Sequence, residues 1–111
     1  MRKARVYRNG QLAGTLIQYH SKKYEFRYDN DWFTNDKLPS ISLTLPKNQQ
    51  VYESDHLFPF FFNMLSEGVN RKLQCRQLKI DENDYFGLLV STANRDTIGA
   101  ITIEPINNES E

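Results

Sequence analysis

The sequence predicts an α+β fold: a small antiparallel sheet packed with about three short helices. Three observations carry that prediction. Two runs of strand character flank Asn9-Gly10, the dipeptide that most favours a tight hairpin turn. Phe58, Phe61, Phe62 and Leu65 recur at i, i+3, i+4 and i+7, the spacing of one helical face. A last alternating run, Gly99 to Glu104, comes after the helical patterns. Strands, then helices, then a strand is the order of an α+β domain.

Each element follows from local pattern. Arg5 to Arg8 and Leu12 to His20 form the hairpin, and Gly14 within the second strand signals a bulge or a close backbone approach. Ser21-Lys22-Lys23 is a polar turn. Tyr24, Phe26 and Tyr28 then alternate with Glu25 and Arg27, as in a half-buried strand. Asp29-Asn30-Asp31 ends this three-stranded meander, and Trp32 and Phe33 pin the following loop onto the core. Ser40 to Leu45 alternates again, with Ile41, Leu43 and Leu45 on one face, until Pro46 stops it. Lys47 to Ser54 is a loop or a short edge strand.

The central helix is predicted from about residue 58 to residue 66. Pro59 suits its first turn, and Gly68 is a natural stop. Phe60 and Met64 lie on its other side, so this helix is apolar almost all round. Such a helix is buried on more than one face, by the rest of the chain or by another protein. A second helix is predicted over Val69 to Gln77. A third runs from Glu82 to about Ala93, with Asp81 as N-cap and Tyr85, Leu88 and Leu89 as its buried stripe. Asn94-Arg95-Asp96 is a turn before the last strand. The whole reads as a single domain over residues 1–106, with 107–111 a frayed acidic tail.

Composition bounds the function. A chain of 111 residues with 39% hydrophobic and 25% charged residues can bury a core without disulfides. Cys75 is its only cysteine, which fits a reducing cytoplasm. No apolar run is long enough to span a bilayer, and the basic start MRKARVYRNG lacks the apolar region of a signal peptide. Charge is uneven: residues 1 to 28 hold seven basic side chains and one acid, a net of +6, and the remainder carries −6. A basic end suits nucleic acid or an acidic partner; equally, it suits a solvated sheet face neutralised by the acidic half after folding.

No catalytic constellation is visible. His20 and His56 lack neighbouring ligands at zinc spacing, so no metal is expected. Cys75 sits near Lys72 and Arg76, which could activate a thiol, but a half-buried structural cysteine is the commoner case. Ser66-Glu67-Gly68 lacks the preceding glycine and strand of a nucleophile elbow. Asp84-Tyr85-Phe86-Gly87 differs from a kinase D-F-G by an extra aromatic and lies on a predicted helix. No glycine-rich phosphate loop is present, so no cofactor is expected. Tyr7, Tyr19 and Tyr24, with Arg5, Arg8 and Lys22, would make a single-strand platform only if they shared a face; alternation separates them. The residues point to a binding module, not an enzyme, with the helix around Phe58 to Leu65 as its best surface.

Several short patterns, in order, resemble the N-terminal subdomain of HipA-type toxin kinases. Gly10, Leu12 and Gly14 are similar to its "G-x-L" hairpin, and Phe26-Arg27-Tyr28-Asp29 with Trp32 to its "F-x-Y-d" strand. Pro39 to Pro46 is similar to its "P-l-S-l-s-L-P" segment. Phe61 to Gly68 resembles its "f-F-x-n-L-L-P-E-G" helix, with Ser66 where that family commonly has proline. Phe86 to Leu89 and Gly99 to Pro105 resemble its closing helix and strand.

The resemblance implies a stand-alone subdomain like HipS of split HipBST systems. It implies an antitoxin that binds the HipT kinase and restrains it, beside the helix-turn-helix protein HipB, with tryptophanyl-tRNA synthetase as the kinase's target. A subdomain separated from a kinase should expose the face it once packed. Phe58, Phe60, Asn63 and Met64 are the candidate kinase contacts.

Overall fold

The computed structural model describes residues 1–65, 68–81, 83–92 and 101–106. Strands β1 (Arg2–Arg8), β2 (Gln11–His20) and β3 (Lys23–Tyr28) form the expected meander. Asn9 and Gly10 both take positive φ, 52° and 80°, which the tight turn requires. Strands β4 (Val51–Ser54) and β5 (Ile101–Pro105) complete one antiparallel sheet in the order β4-β3-β2-β1-β5. The first strand is thus interior, between β2 and β5, and β5 forms the edge beside it.

Both readings of Gly14 hold. The register shifts between Val6 and Tyr7, opposite it. A Cβ on Gly14 would lie 2.5 Å from the Arg27 carbonyl oxygen and 2.7 Å from the Phe26 ring. Only glycine lets β3 cross this close.

Helices α1 (Asn30–Thr34), α2 (Pro59–Phe62), α3 (Gly68–Leu78) and α4 (Tyr85–Thr92) make up the rest. The core joins Ala4, Val6, Leu16, Phe26, Tyr28 and Ile103 of the sheet to Trp32, Phe61, Phe86, Leu88 and Leu89. Across the sheet's other face the register sets Lys3, Ile17, Glu25 and Glu53 in one row, and Glu104, Arg5, Thr15 and Arg27 in the next. On this face Arg5 lies opposite Glu104 and Arg27 pairs with Glu25, while Glu25 also lies opposite Glu53.

The structure corrects several sequence expectations. Ser40 to Leu45 is not a strand: the Ile41 amide and the Leu45 carbonyl go to the Tyr28 hydroxyl, and the Leu45 amide turns back to the Ser42 carbonyl. Ile41 and Leu45 are buried, but Leu43 is 98% exposed. The loop after β3 contains α1, capped by Asp29, whose carboxylate accepts from the Asp31 amide at 3.3 Å. The central helix is only Pro59–Phe62; beyond it the amides of Met64 and Leu65 bond three residues back, to Phe61 and Phe62, so the coil tightens. Gly68 opens α3 and does not close α2.

The third helix starts later than expected. Asp84, not Asp81, caps α4, accepting from the Gly87 amide at 3.1 Å. Asp81 accepts instead from the Asn83 amide within the preceding turn. The expected helix ends at Glu82 and Ala93, the turn at Asn94 to Asp96, the strand start at Gly99, Ser66 and the tail at 107–111 lie outside the described residues.

Candidate partner-binding site

Strand β4 delivers the chain to α2 through Asp55 and His56, both exposed and joined by a 2.6 Å Nδ1–Oδ1 contact. Leu57 and Phe58 then turn inward. Pro59 starts the helix at its first position, where no amide donor is needed. Phe58, Phe61 and Leu65 are buried, three of the four residues of the expected stripe. The fourth, Phe62, is 37% exposed and meets Tyr85 of α4 edge-on, with ring centroids 5.2 Å apart.

The four candidate contacts separate. Phe58 is 6% exposed, sealed within the chain's own core. Phe60 and Met64 are half-buried, and the Phe60 ring stands edge-on to Phe61 at 5.1 Å. Asn63 is exposed at the helix C-cap. The accessible surface of α2 is thus Phe60, Phe62, Asn63 and Met64. Phe62 joins this surface although the helical spacing groups it with the buried Phe58, Phe61 and Leu65. Beside it lies an apolar hollow of about 280 Å³ lined by His56, Leu57, Pro59, Phe62, Asn63 and Tyr85.

A larger hollow of about 490 Å³ adjoins it, and both His20 and His56 reach its rim, together with Tyr24, Asp81 and Asp84. Far apart in sequence, the two histidines share this wall; yet among the described residues no three His, Cys, Asp or Glu side chains are placed to hold a metal ion. At its edge Arg2 grips Asp84 with two guanidinium bonds of 2.6 and 3.1 Å and also bonds Gln18. Those bonds from Arg2, set against partial burial, hold the Asp84 carboxyl below its usual range; the Gly87 amide adds to the effect. The Arg2 guanidinium also lies 4.9 Å from the Phe86 ring centre, so one side chain ties β1 to α4.

Elsewhere the chemistry is structural. Cys75 is buried, which removes it from the class of reactive, accessible thiols. Glu25, expected on an open face, is only 4% exposed: Arg27 pairs with it at 3.2 Å and the Tyr19 hydroxyl donates to it at 3.0 Å. Donating to Glu25 pushes the Tyr19 hydroxyl up in pKa. Tyr24 is buried while Tyr19 is exposed, so the hairpin aromatics do not line up as a stacking platform. No described helix is long and apolar enough to cross a membrane.

Comparison with known proteins accounts for the fold. Residues 4–104 match the family model of the HipA N-terminal domain. An uncharacterised protein of Haemophilus influenzae is 30% identical over 104 residues, spanning 94% of this chain and 92% of that one. Putative kinase Y4mE of Sinorhizobium fredii is 25% identical over 94% of this chain, which covers only 24% of that kinase. A solved structure of the N-terminal domain of HipA toxin superposes with a TM-score of 0.72 at 24% identity, over 97% of this chain and 95% of the other. The likeness is therefore to a toxin's N-terminal domain, and most of the putative kinase lies outside it. The chain belongs to the HipA N-terminal domain family.

Proposed function

We propose that this protein is an antitoxin-type subunit that binds a HipT-type kinase and restrains it by non-covalent contact. The observation that carries the reading is the surface of α2. Phe60, Phe62 and Met64 remain partly open around the exposed Asn63, beside an apolar hollow. An aromatic anchor at the centre of an interface supplies a large share of binding energy.

Two relatives support the reading. The Haemophilus influenzae protein is matched over 92% of its length, so the domain there is nearly the whole molecule. In the putative kinase the same domain is 24% of a longer chain. A domain found both alone and within a kinase suits action on a kinase in trans. Phe60, Met64 and Asn63 are the contacts, with Phe62 added; Phe58 acts from beneath, by holding the helix in place. The setting is cytoplasmic, in keeping with the lone Cys75.

Co-expression with a HipT-type kinase tests the proposal. The wild type should neutralise the kinase, and Phe60→Ala or Met64→Ala should restore toxicity while the variant keeps its circular dichroism spectrum. Full neutralisation by every folded α2 variant would move the contact elsewhere. A kinase whose autophosphorylation is unchanged or raised by the wild type would make this a structural subunit.

A further inference from the structure

The turn that joins β1 to β2 holds the one asparagine–glycine step of the sequence. Asn9 and Gly10 are both exposed, and both sit at positive φ between the closing pair Arg8 and Gln11. Among the described residues, neither the Asn9 side chain nor the Gly10 amide has a hydrogen-bond partner. A Cβ built on Gly10 would meet no atom within 4 Å, so the space beside this amide is open. Other exposed asparagines differ on both counts. Asn35 precedes Asp36, and its Oδ1 accepts from the Lys37 amide at 3.0 Å. Asn30 precedes Asp31, and its Oδ1 accepts from Gln50 Nε2 at 2.6 Å.

We propose that Asn9 is a site of spontaneous deamidation, carried out by the chain's own backbone with water as the only co-reactant. The Gly10 backbone nitrogen attacks Cγ of Asn9, and the new N–Cγ bond closes a five-membered succinimide ring. The Cγ–Nδ2 bond breaks, and Nδ2 leaves as ammonia, carrying through solvent the proton that the Gly10 amide gave up. Water then opens the ring at one of its two carbonyls. One opening leaves an aspartate; the other leaves an isoaspartate, whose main chain runs through the former side chain. No electron is gained or lost. Glycine as the following residue puts no side chain in the path of attack. The attacking nitrogen leaves no ladder bond behind, unlike the amides of the strands on either side. Both products place a negative charge next to Arg8. The isoaspartate also adds a backbone carbon to a two-residue turn whose length sets the β1–β2 register, and β1 is an interior strand. The chain thus carries a slow, one-way change that loosens its hairpin.

The test is incubation of the purified full chain in warm neutral buffer, followed by peptide mapping and labelling with an isoaspartyl methyltransferase. The Asn9 peptide should gain about one dalton, and take up label, about tenfold or more faster than the Asn35 peptide of the same sample. Gly10→Ala should slow the change by a similar factor. Because alanine is strained at this φ, the wild type in urea gives a second comparison: folded and unfolded chains should react at rates within about tenfold of each other. An Asn9 that stays intact in the folded chain and reacts in urea overturns the proposal, since the hairpin then protects it. Equal reaction at Asn35 also overturns it. Aged wild type should melt below fresh protein, and aged Asn9→Gln should not; unchanged melting of fully converted wild type overturns the loosening.

Discussion

Between residues 2 and 28 the backbone bonds mostly to itself; between residues 35 and 50 it is held mainly by side chains. The meander is a ladder whose register follows from two tight turns. The later segment has no ladder, and Tyr28, Trp32, Lys47 and Tyr52 take its carbonyls one by one. The first region supplies a platform, and the second hangs on it. The difference teaches where new surface is made in this fold: in the part whose shape is set by a few side chains, not by the sheet.

The strongest way to break this division is at the seam between the two. Phe61 is fully buried against Phe26, and Phe61→Ala should cost about 3–5 kcal/mol, read as a lowered midpoint in chemical denaturation. Such a loss would show that α2 is fastened to the sheet through this one ring. A smaller loss would mean that Phe58 and Leu65 suffice to hold it.

Tyr28→Phe sharpens the comparison. It keeps the ring and removes only the hydroxyl that serves Leu45 and Ile41. Burial pushes that hydroxyl up in pKa, so it is a neutral donor at any ordinary pH. Leaving its partners unsatisfied should cost about 1–3 kcal/mol. Hydrogen exchange should quicken at Ile41 and not in β1 or β2; equal quickening in both regions would deny that they are separately held.

Asp84 gives the smallest effect. Asp84→Ala removes a helix cap and the Arg2 pair, for about 1 kcal/mol. Arg2→Ala, which spares the cap, should cost less, because both partners are part exposed. The sign with pH follows from the depressed carboxyl. The folded state favours ionised Asp84, so this stability is complete above the usual Asp range and is lost as pH falls through the lowered value. Arg2→Ala should flatten that part of the acid limb in a stability–pH profile.

How much the sequence revealed follows the same division. The hairpin, the buried faces of β3 and the close approach at Gly14 were legible, because turn chemistry and alternation are local. Ser40 to Leu45 was misread because alternation alone does not say where backbone groups bond, and here the Tyr28 hydroxyl takes them. α2 was read too long, since the spacing of Phe58, Phe61 and Leu65 survives a tightened turn. Phe62 lies on the surface and Phe58 inside, a division that their shared helical spacing did not reveal. Exposed Leu43 carried no signal, because an apolar residue in an alternating run looks like core.

The central claim is that the α2 surface engages and restrains a kinase. The most direct measurement is autophosphorylation of the purified HipT-type kinase titrated with wild type and with Phe60→Ala. The account predicts suppression by the wild type and a much weaker effect of the equally folded variant. Phosphorylation that ignores both proteins, or that both suppress alike, would contradict it.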